Sequence, residues 1–255
     1  MSIAAPSRVA PVRDRTMRLP QWLQVIPVPR RHWTPQYIRD RVQLALYQRA
    51  NPLDPWLTRS MVGFLSGYVR RADTVVEFGS GRSTLWFARR VSRVASTEHH
   101  PGWHAEVQRR LAEAGLTNVD AFCPGEDADA ERYLEPVQGA GLGPVHVALV
   151  DGQHRDSCAC WALQAVAPGG LIVVDNVNWF LPRATTKHCP PASLRPGSAP
   201  ATALWAQFAE ATKDWRQFWT TDGITDTAAF FKPAEVARVV VRAGFATGAR
   251  PHGVS

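Results

Sequence analysis

Val75-Val76-Glu77-Phe78-Gly79-Ser80-Gly81-Arg82-Ser83-Thr84 reads as a buried strand ending in an acid, a tight glycine turn and the start of a helix. Two glycines one residue apart let the backbone turn sharply and come close to a ligand. The helix that follows, through Leu85, Trp86 and Phe87, points its first amides into the same space. The spacing is close to a dinucleotide fingerprint, with two departures: Thr84 holds the third glycine position, and Glu77 lies two residues before the first glycine.

A carboxylate at Glu77 repels a pyrophosphate and attracts an ammonium. S-adenosylmethionine carries an ammonium and a sulfonium and no phosphate, so the stretch favours it over NAD. Gly79, Ser80, Gly81 and Ser83 belong to the cofactor turn, with Glu77 behind them.

Outward from the turn, strand and helix alternate: strands at Thr74–Phe78, Arg93–Thr97, Val119–Cys123, Val145–Val150 and Leu171–Val174. Such alternation argues for a parallel sheet covered on both faces. Two more strands, Arg216–Thr220 and Thr227–Phe231, are expected as an antiparallel edge hairpin around Asp222-Gly223. The fold expected is therefore α/β, a Rossmann-like, seven-stranded, mostly parallel sheet with helices on both faces and an N-terminal helical extension. A helix opens at Thr34-Pro35, a capping residue before proline, with Ile38, Val42, Ala45 and Leu46 on its apolar face. A second carries Leu57, Met61, Leu65 and Tyr68. The domain plan is an irregular basic arm (1–33), a helical cap (34–70), the ligand-binding domain (71–232) and a C-terminal extension (233–255). Trp56 is either core or a lid over the pocket mouth. The Pro-rich connection 179–200, with His188 and Cys189, is long enough to be functional.

The net charge of +7 is unevenly placed, with +5 in residues 1–33, +3 in 232–255 and −1 between. Basic ends on a near-neutral body favour solvated tails over a nucleic-acid surface. Apolar residues in the arm, such as Trp22 and Ile26, could dock on the body or on a second copy in a homodimer. No apolar run approaches the ~18 residues of a membrane helix, and no signal-peptide core precedes the arginines, so the expected location is cytoplasmic. The four cysteines, Cys123, Cys158, Cys160 and Cys189, lack paired zinc spacing. His146, inside a strand, is read as structural.

Ligands of open parallel sheets bind beyond the carboxyl ends of the strands. Four strands end there in acids: Glu77, Glu98, Asp151 and Asp175. Four converging carboxylates ask for a cationic ligand or a metal. Glu98 can accept both ribose hydroxyls of an adenosine, with His99 against the sugar, and Gly125-Glu126-Asp127 is placed to meet the adenine. Asp151 falls near the sulfonium, and Trp179 and Phe180 offer an aromatic wall to the acceptor.

On Glu77-Phe78-Gly79-Ser80-Gly81, Glu98, Asp151 and the Pro-Gly-Gly turn before Asp175, the chain resembles the class I S-adenosylmethionine-dependent methyltransferases from about residue 74 to 232. Within them it is similar to the metal-dependent small-molecule O-methyltransferases of the catechol and caffeoyl-CoA type. That resemblance implies a divalent cation, Mg²⁺, held by Asp151, Asp175 and Asn176, and a small-molecule acceptor. It implies a base three residues after Asp151, where the family's lysine is replaced by His154; this departure leaves the presence of the metal open. The rival readings are a nicotinamide-dependent oxidoreductase and a nucleic-acid methyltransferase or non-catalytic binder using the basic ends.

Overall fold

A computed structural model of the protein describes residues 34–183, 190 and 193–234. Two helices, α1 (Pro35–Ala50) and α2 (Arg59–Tyr68), precede β1 (Thr74–Phe78). Then come α3 (Arg82–Ala88), β2 (Arg93–Thr97), α4 (Pro101–Glu113), β3 (Val119–Phe122), α5 (Ala130–Gly139), β4 (Val145–Val150) and α6 (Arg155–Ala165). The chain continues through β5 (Val166–Asp175), a 3-10 turn at Val177–Trp179, α7 (Ala203–Thr212), β6 (Arg216–Thr221) and β7 (Asp226–Phe231). The seven strands form one sheet in the order β3-β2-β1-β4-β5-β7-β6, with β7 antiparallel to both neighbours and the other pairings parallel.

Strand alternation sorts the apolar residues onto two faces. Val76, Phe78, Ala148, Val150, Ile172, Val174, Ala228 and Phe230 share one core with α5, α6 and α7. Val75, Val147, Leu149, Leu171, Val173 and Ala229 share the other with α2, α3 and α4. Every residue of β1 is buried. From β1 the chain builds outward to β2 and β3, then returns to place β4 on the other side. The crevice of such a sheet therefore opens at the carboxyl ends of β1 and β4, where strand order reverses.

Those two ends are drawn tightly together. Asp151 donates its amide to Phe78 O at 2.8 Å, and Gly79 donates to Thr97 O at 2.8 Å. Gly79 has φ +97°, and a Cβ there would lie 2.8 Å from the backbone of Asp151 and from Gly152 Cα.

The strands lie close to their expected positions, with three differences in the elements. β5 begins at Val166, so Pro168-Gly169-Gly170 lies within the strand and not in a turn before it, with Pro168 and Gly169 exposed, Gly170 buried and both glycines paired with Lys232. α5 was not anticipated. α1 forms as expected, with Thr34 Oγ1 accepting from Tyr37 N at 3.1 Å, but its supposed core face is in the open. Ile38, Val42 and Leu46 are exposed, and Tyr37 is the buried residue of this helix. α2 forms with Met61 and Leu65 in the core, while Leu57, also buried, precedes the helix and does not belong to its stripe. His146 is structural, its Nδ1 accepting from Thr74 N at 3.0 Å. The basic arm 1–33, most of the C-terminal extension, His188 and Cys189 lie outside the described residues.

Replacing Gly79 by Ala forces a methyl into the backbone of Asp151 and Gly152 at a positive φ. Gly79→Ala is expected to lose about 2–4 kcal/mol in urea unfolding, against less than about 1 kcal/mol for Gly63→Ala, whose site is open.

Candidate active site

β1 carries Glu77 to the base of the glycine turn. Its side chain is fully buried, with Oε2 accepting from Ser96 Oγ at 2.7 Å and from Thr84 Oγ1. Oε1 is buried without a partner. Burial raises the Glu77 carboxyl from 4.5 to about 7; the neighbouring hydroxyls of Ser83, Thr84 and Ser96 oppose the rise, and the Asp151 charge adds to it. Glu77 is thus beneath the turn, not on its open side. Above it, Ser80 Oγ meets Ser96 Oγ at 2.7 Å, and Ser80 O accepts from Trp103 Nε1 at 2.7 Å. Gly81 N donates to Thr84 Oγ1 at 2.8 Å, which explains the threonine in place of a third glycine. A Cβ at Gly81 would be in ordinary contact with the Trp103 ring, 3.9 Å from Nε1. Ser83 is buried.

Trp56 is half-buried, its ring stacked near Trp103 with centroids 6.4 Å apart and the Arg82 guanidinium 4.9 Å from its centre. It stands next to the glycine turn through these two residues.

β2 delivers Glu98, which is 4% exposed. Its Oε1 accepts from His100 N at 2.8 Å and lies 3.0 Å from His99 Nδ1, leaving Oε2 with capacity for other donors. His100 caps α4 by accepting from Trp103 N at 3.1 Å, and its Nε2 is 3.5 Å from Glu126 Oε1 in the turn after β3. In that turn Gly125 takes φ +99°, and Glu126 and Asp127 are exposed.

β4 delivers Asp151, whose side chain is 28% exposed, and the left-handed His154 (φ 47°, ψ 39°) that starts α6. His154 Nε2 lies 2.9 Å from Ala128 O. A carbonyl only accepts, so Nε2 carries the hydrogen and Nδ1 is the basic nitrogen. The His154 ring faces that of Tyr133 on α5, with centroids 5.7 Å apart, and Tyr133 donates to Thr97 O at 3.1 Å. Burial raises the Asp151 carboxyl and Glu98 adds to this, while Arg155 pulls it down. Asp175, at the end of β5 and 4% exposed, is raised by burial and then by the Asp151 charge. The four acids therefore do feel one another across one edge.

The expected metal ligands are already engaged. Arg155, absent from the sequence reading, donates to Asn176 Oδ1 at 2.9 Å and sets its Nη2 2.9 Å from Asp151 Oδ1. Asp175 Oδ1 accepts from Thr227 Oγ1 at 2.5 Å, and Asn176 Nδ2 donates to Thr225 Oγ1 at 2.6 Å. This donor set does not fit Mg²⁺, which needs oxygen ligands at about 2.1 Å and tolerates no guanidinium between them. Among the described residues no group of three or more His, Cys, Asp or Glu could hold a metal ion. Phe180, expected in the acceptor wall, stacks on the buried Trp205 at 5.0 Å; Trp179 is half-buried with its Nε1 buried and unpartnered.

Two functional residues escaped the sequence reading. Arg155 stands four positions after Asp151, the spacing of a helical ion pair. Tyr133, Leu134 and Val137 have helical spacing, a signal masked by Pro136.

Residues 76–177 match the model of a family described as a methyltransferase domain. A catechol O-methyltransferase from Niastella koreensis (strain DSM 17620 / KACC 11465 / NBRC 106392 / GR20-10) is 32% identical over 114 residues, 42% of this chain and 50% of that protein. The chain thus spans about half the length of that curated relative. The solved O-methyltransferase from Bacillus cereus in complex with SAH is 19% identical, with a TM-score of 0.50 over 83% of this chain and 96% of that one. An rRNA methylase from Streptococcus thermophilus is 12% identical with a TM-score of 0.45, covering 68% of this chain and 93% of that one, a similarity too low to carry function. The match to that family covers less than half of the chain, and the Bacillus cereus structure is similar to it in fold. Among the described residues no helix is long and apolar enough to cross a membrane.

Because Glu77 is raised when folded, its contribution to stability is full below the unfolded value of 4.5 and is lost as pH rises through about 7. Urea unfolding at about pH 4 and about pH 8 should show the wild type losing on the order of 3 kcal/mol more than Glu77→Gln. Equal losses in the two proteins would contradict the burial of a titrating carboxyl.

Proposed function

We propose that the protein transfers a methyl group from S-adenosylmethionine to an oxygen of a small molecule, with residues 71–232 binding the cofactor and 34–70 as their cap. The observation that carries this reading is the row of mutually interacting acids, Glu77, Glu98, Asp151 and Asp175, behind the glycine turn. Such a row repels a pyrophosphate and favours a ligand bearing an ammonium and a sulfonium. The oxygen as acceptor is supported by the similarity to a catechol O-methyltransferase.

In this reading Glu98 Oε2 accepts the ribose hydroxyls, with His99 beside the sugar, and the Gly125-Glu126-Asp127 turn borders the adenine. The backbone of Gly79, Ser80, Gly81 and Ser83 surrounds the methionine end, whose ammonium is held by the field of Glu77 from below. Asp151 lies near the sulfonium. The acceptor enters beside Asn176 and Trp179. His154 Nδ1 takes the hydroxyl proton as the oxygen–methyl bond forms and the methyl–sulfur bond breaks, releasing S-adenosylhomocysteine. Most of the rate would come from holding oxygen, methyl and sulfur in line. Since the Asp151, Asp175 and Asn176 oxygens do not fit Mg²⁺, no step is assigned to a metal.

Calorimetry with S-adenosylhomocysteine and turnover of radiolabelled S-adenosylmethionine on a catechol panel test these roles. Glu98→Ala should weaken S-adenosylhomocysteine by more than about tenfold. His154→Ala should keep that affinity and lower kcat about 10²–10⁴-fold. Undiminished turnover in His154→Ala would remove it as the base, and undiminished affinity in Glu98→Ala would remove the cofactor assignment.

A further inference from the structure

The side chain nearest the supposed metal position is itself a cation, held by acceptors on both sides. Arg155 opens α6 and reaches across to the end of β5. Its Nε donates to Gly152 O at 3.0 Å. Nη1 donates to Asp175 O at 2.7 Å and to Asn176 Oδ1 at 2.9 Å. Nη2 donates to Asp151 O at 3.0 Å and lies 2.9 Å from Asp151 Oδ1. A guanidinium has five N–H donors; four of these contacts are hydrogen bonds and the fifth, to Asp151 Oδ1, is an ion pair. The acceptors come from both strand ends that border the expected metal position, two of them the very side-chain oxygens expected to bind it.

We propose that Arg155 is a resident cation in place of a divalent metal, and that the wild-type protein therefore binds no divalent metal at Asp151 and Asn176. This deepens the reading above and rests on it for the role of the site, though not for the chemistry of the cation. The orientation of Asn176 supports it: Nδ2 is held by Thr225 Oγ1, so Oδ1 is turned to Arg155. A metal about 2.1 Å from both Oδ1 atoms would overlap N–H groups that already contact those atoms, and would bring a second positive centre against the first. Arg155 directs its donors at the protein. It acts as a positioning residue that ties the β4 and β5 ends together and supplies a charge that neither chelation nor ordinary pH removes.

Mn²⁺ binding to the full chain, followed by electron paramagnetic resonance, tests this without turnover, so a failure of the methyl-transfer reading would leave its outcome intact. Wild type should show no bound Mn²⁺ signal. Arg155→Ala, checked for folding by circular dichroism, should gain one site, and adding Asp151→Asn in that background should abolish it. Wild-type Mn²⁺ binding that disappears in Asp151→Asn would overturn the proposal, as would a folded Arg155→Ala that gains no site. If Arg155→Ala does not fold, Arg155→Lys decides through a shorter, compact cation that cannot reproduce the fork: a new site, lost on adding Asp151→Asn, supports the proposal, and none contradicts it.

Discussion

Four carboxylates share the carboxyl edge of the central sheet, and one fixed cation, Arg155, offsets them from the β5 side. Buried like charges cost free energy unless opposed. Around Glu77 the opposition comes from hydroxyls, around Glu98 from the His100 amide and His99, and around Asp151 from Arg155. The edge is consequently acidic at the β1 and β2 ends and closed by a guanidinium between the β4 and β5 ends. In the proposed reading, a cationic cofactor adds a positive charge near Glu77 to the hydroxyls already there.

The close approach of Gly79 to Gly152 makes this arrangement compact. It joins the turn after β1 to the loop after β4, so that one local geometry sets the positions of Glu77, Asp151 and His154 together. The preceding helices are bound into the same framework. Thr58, which caps α2, donates its amide to Thr227 Oγ1 at 3.3 Å, and Thr227 in turn donates to Asp175. α2 also shares its core with β1, α3 and α4. α2 is thus continuous with the sheet beneath it, and Trp56, just before it, reaches the glycine turn through Trp103 and Arg82.

What the chain reveals before folding follows from how local each signal is. β1 was legible because a β-branched run, an acid and two glycines fall within one short stretch. The strand-end acids were legible because sheet topology alone puts them on one edge. α5 was hidden because Pro136 breaks the helical pattern that Tyr133, Leu134 and Val137 otherwise share. The α1 stripe was misread because amphipathic spacing says which residues share a face and not whether anything covers it. Arg155 illustrates the deepest limit. Its local pairing with Asp151 is written in the sequence, but its bonds to Asp175 and Asn176 span about twenty residues and exist only once β4 and β5 lie side by side. Family resemblance points to three metal ligands there, and Arg155 occupies the side-chain oxygens of two of them, Asp151 and Asn176.

The central claim is that this acid row awaits a cationic adenosine cofactor. Calorimetric titration of S-adenosylmethionine near pH 7, where Glu77 titrates in the free protein, tests it directly when run in two buffers of different ionisation enthalpy. Binding should release protons, because the ligand's positive charge favours the ionised carboxylates. Absence of binding, or binding with proton uptake, would contradict it.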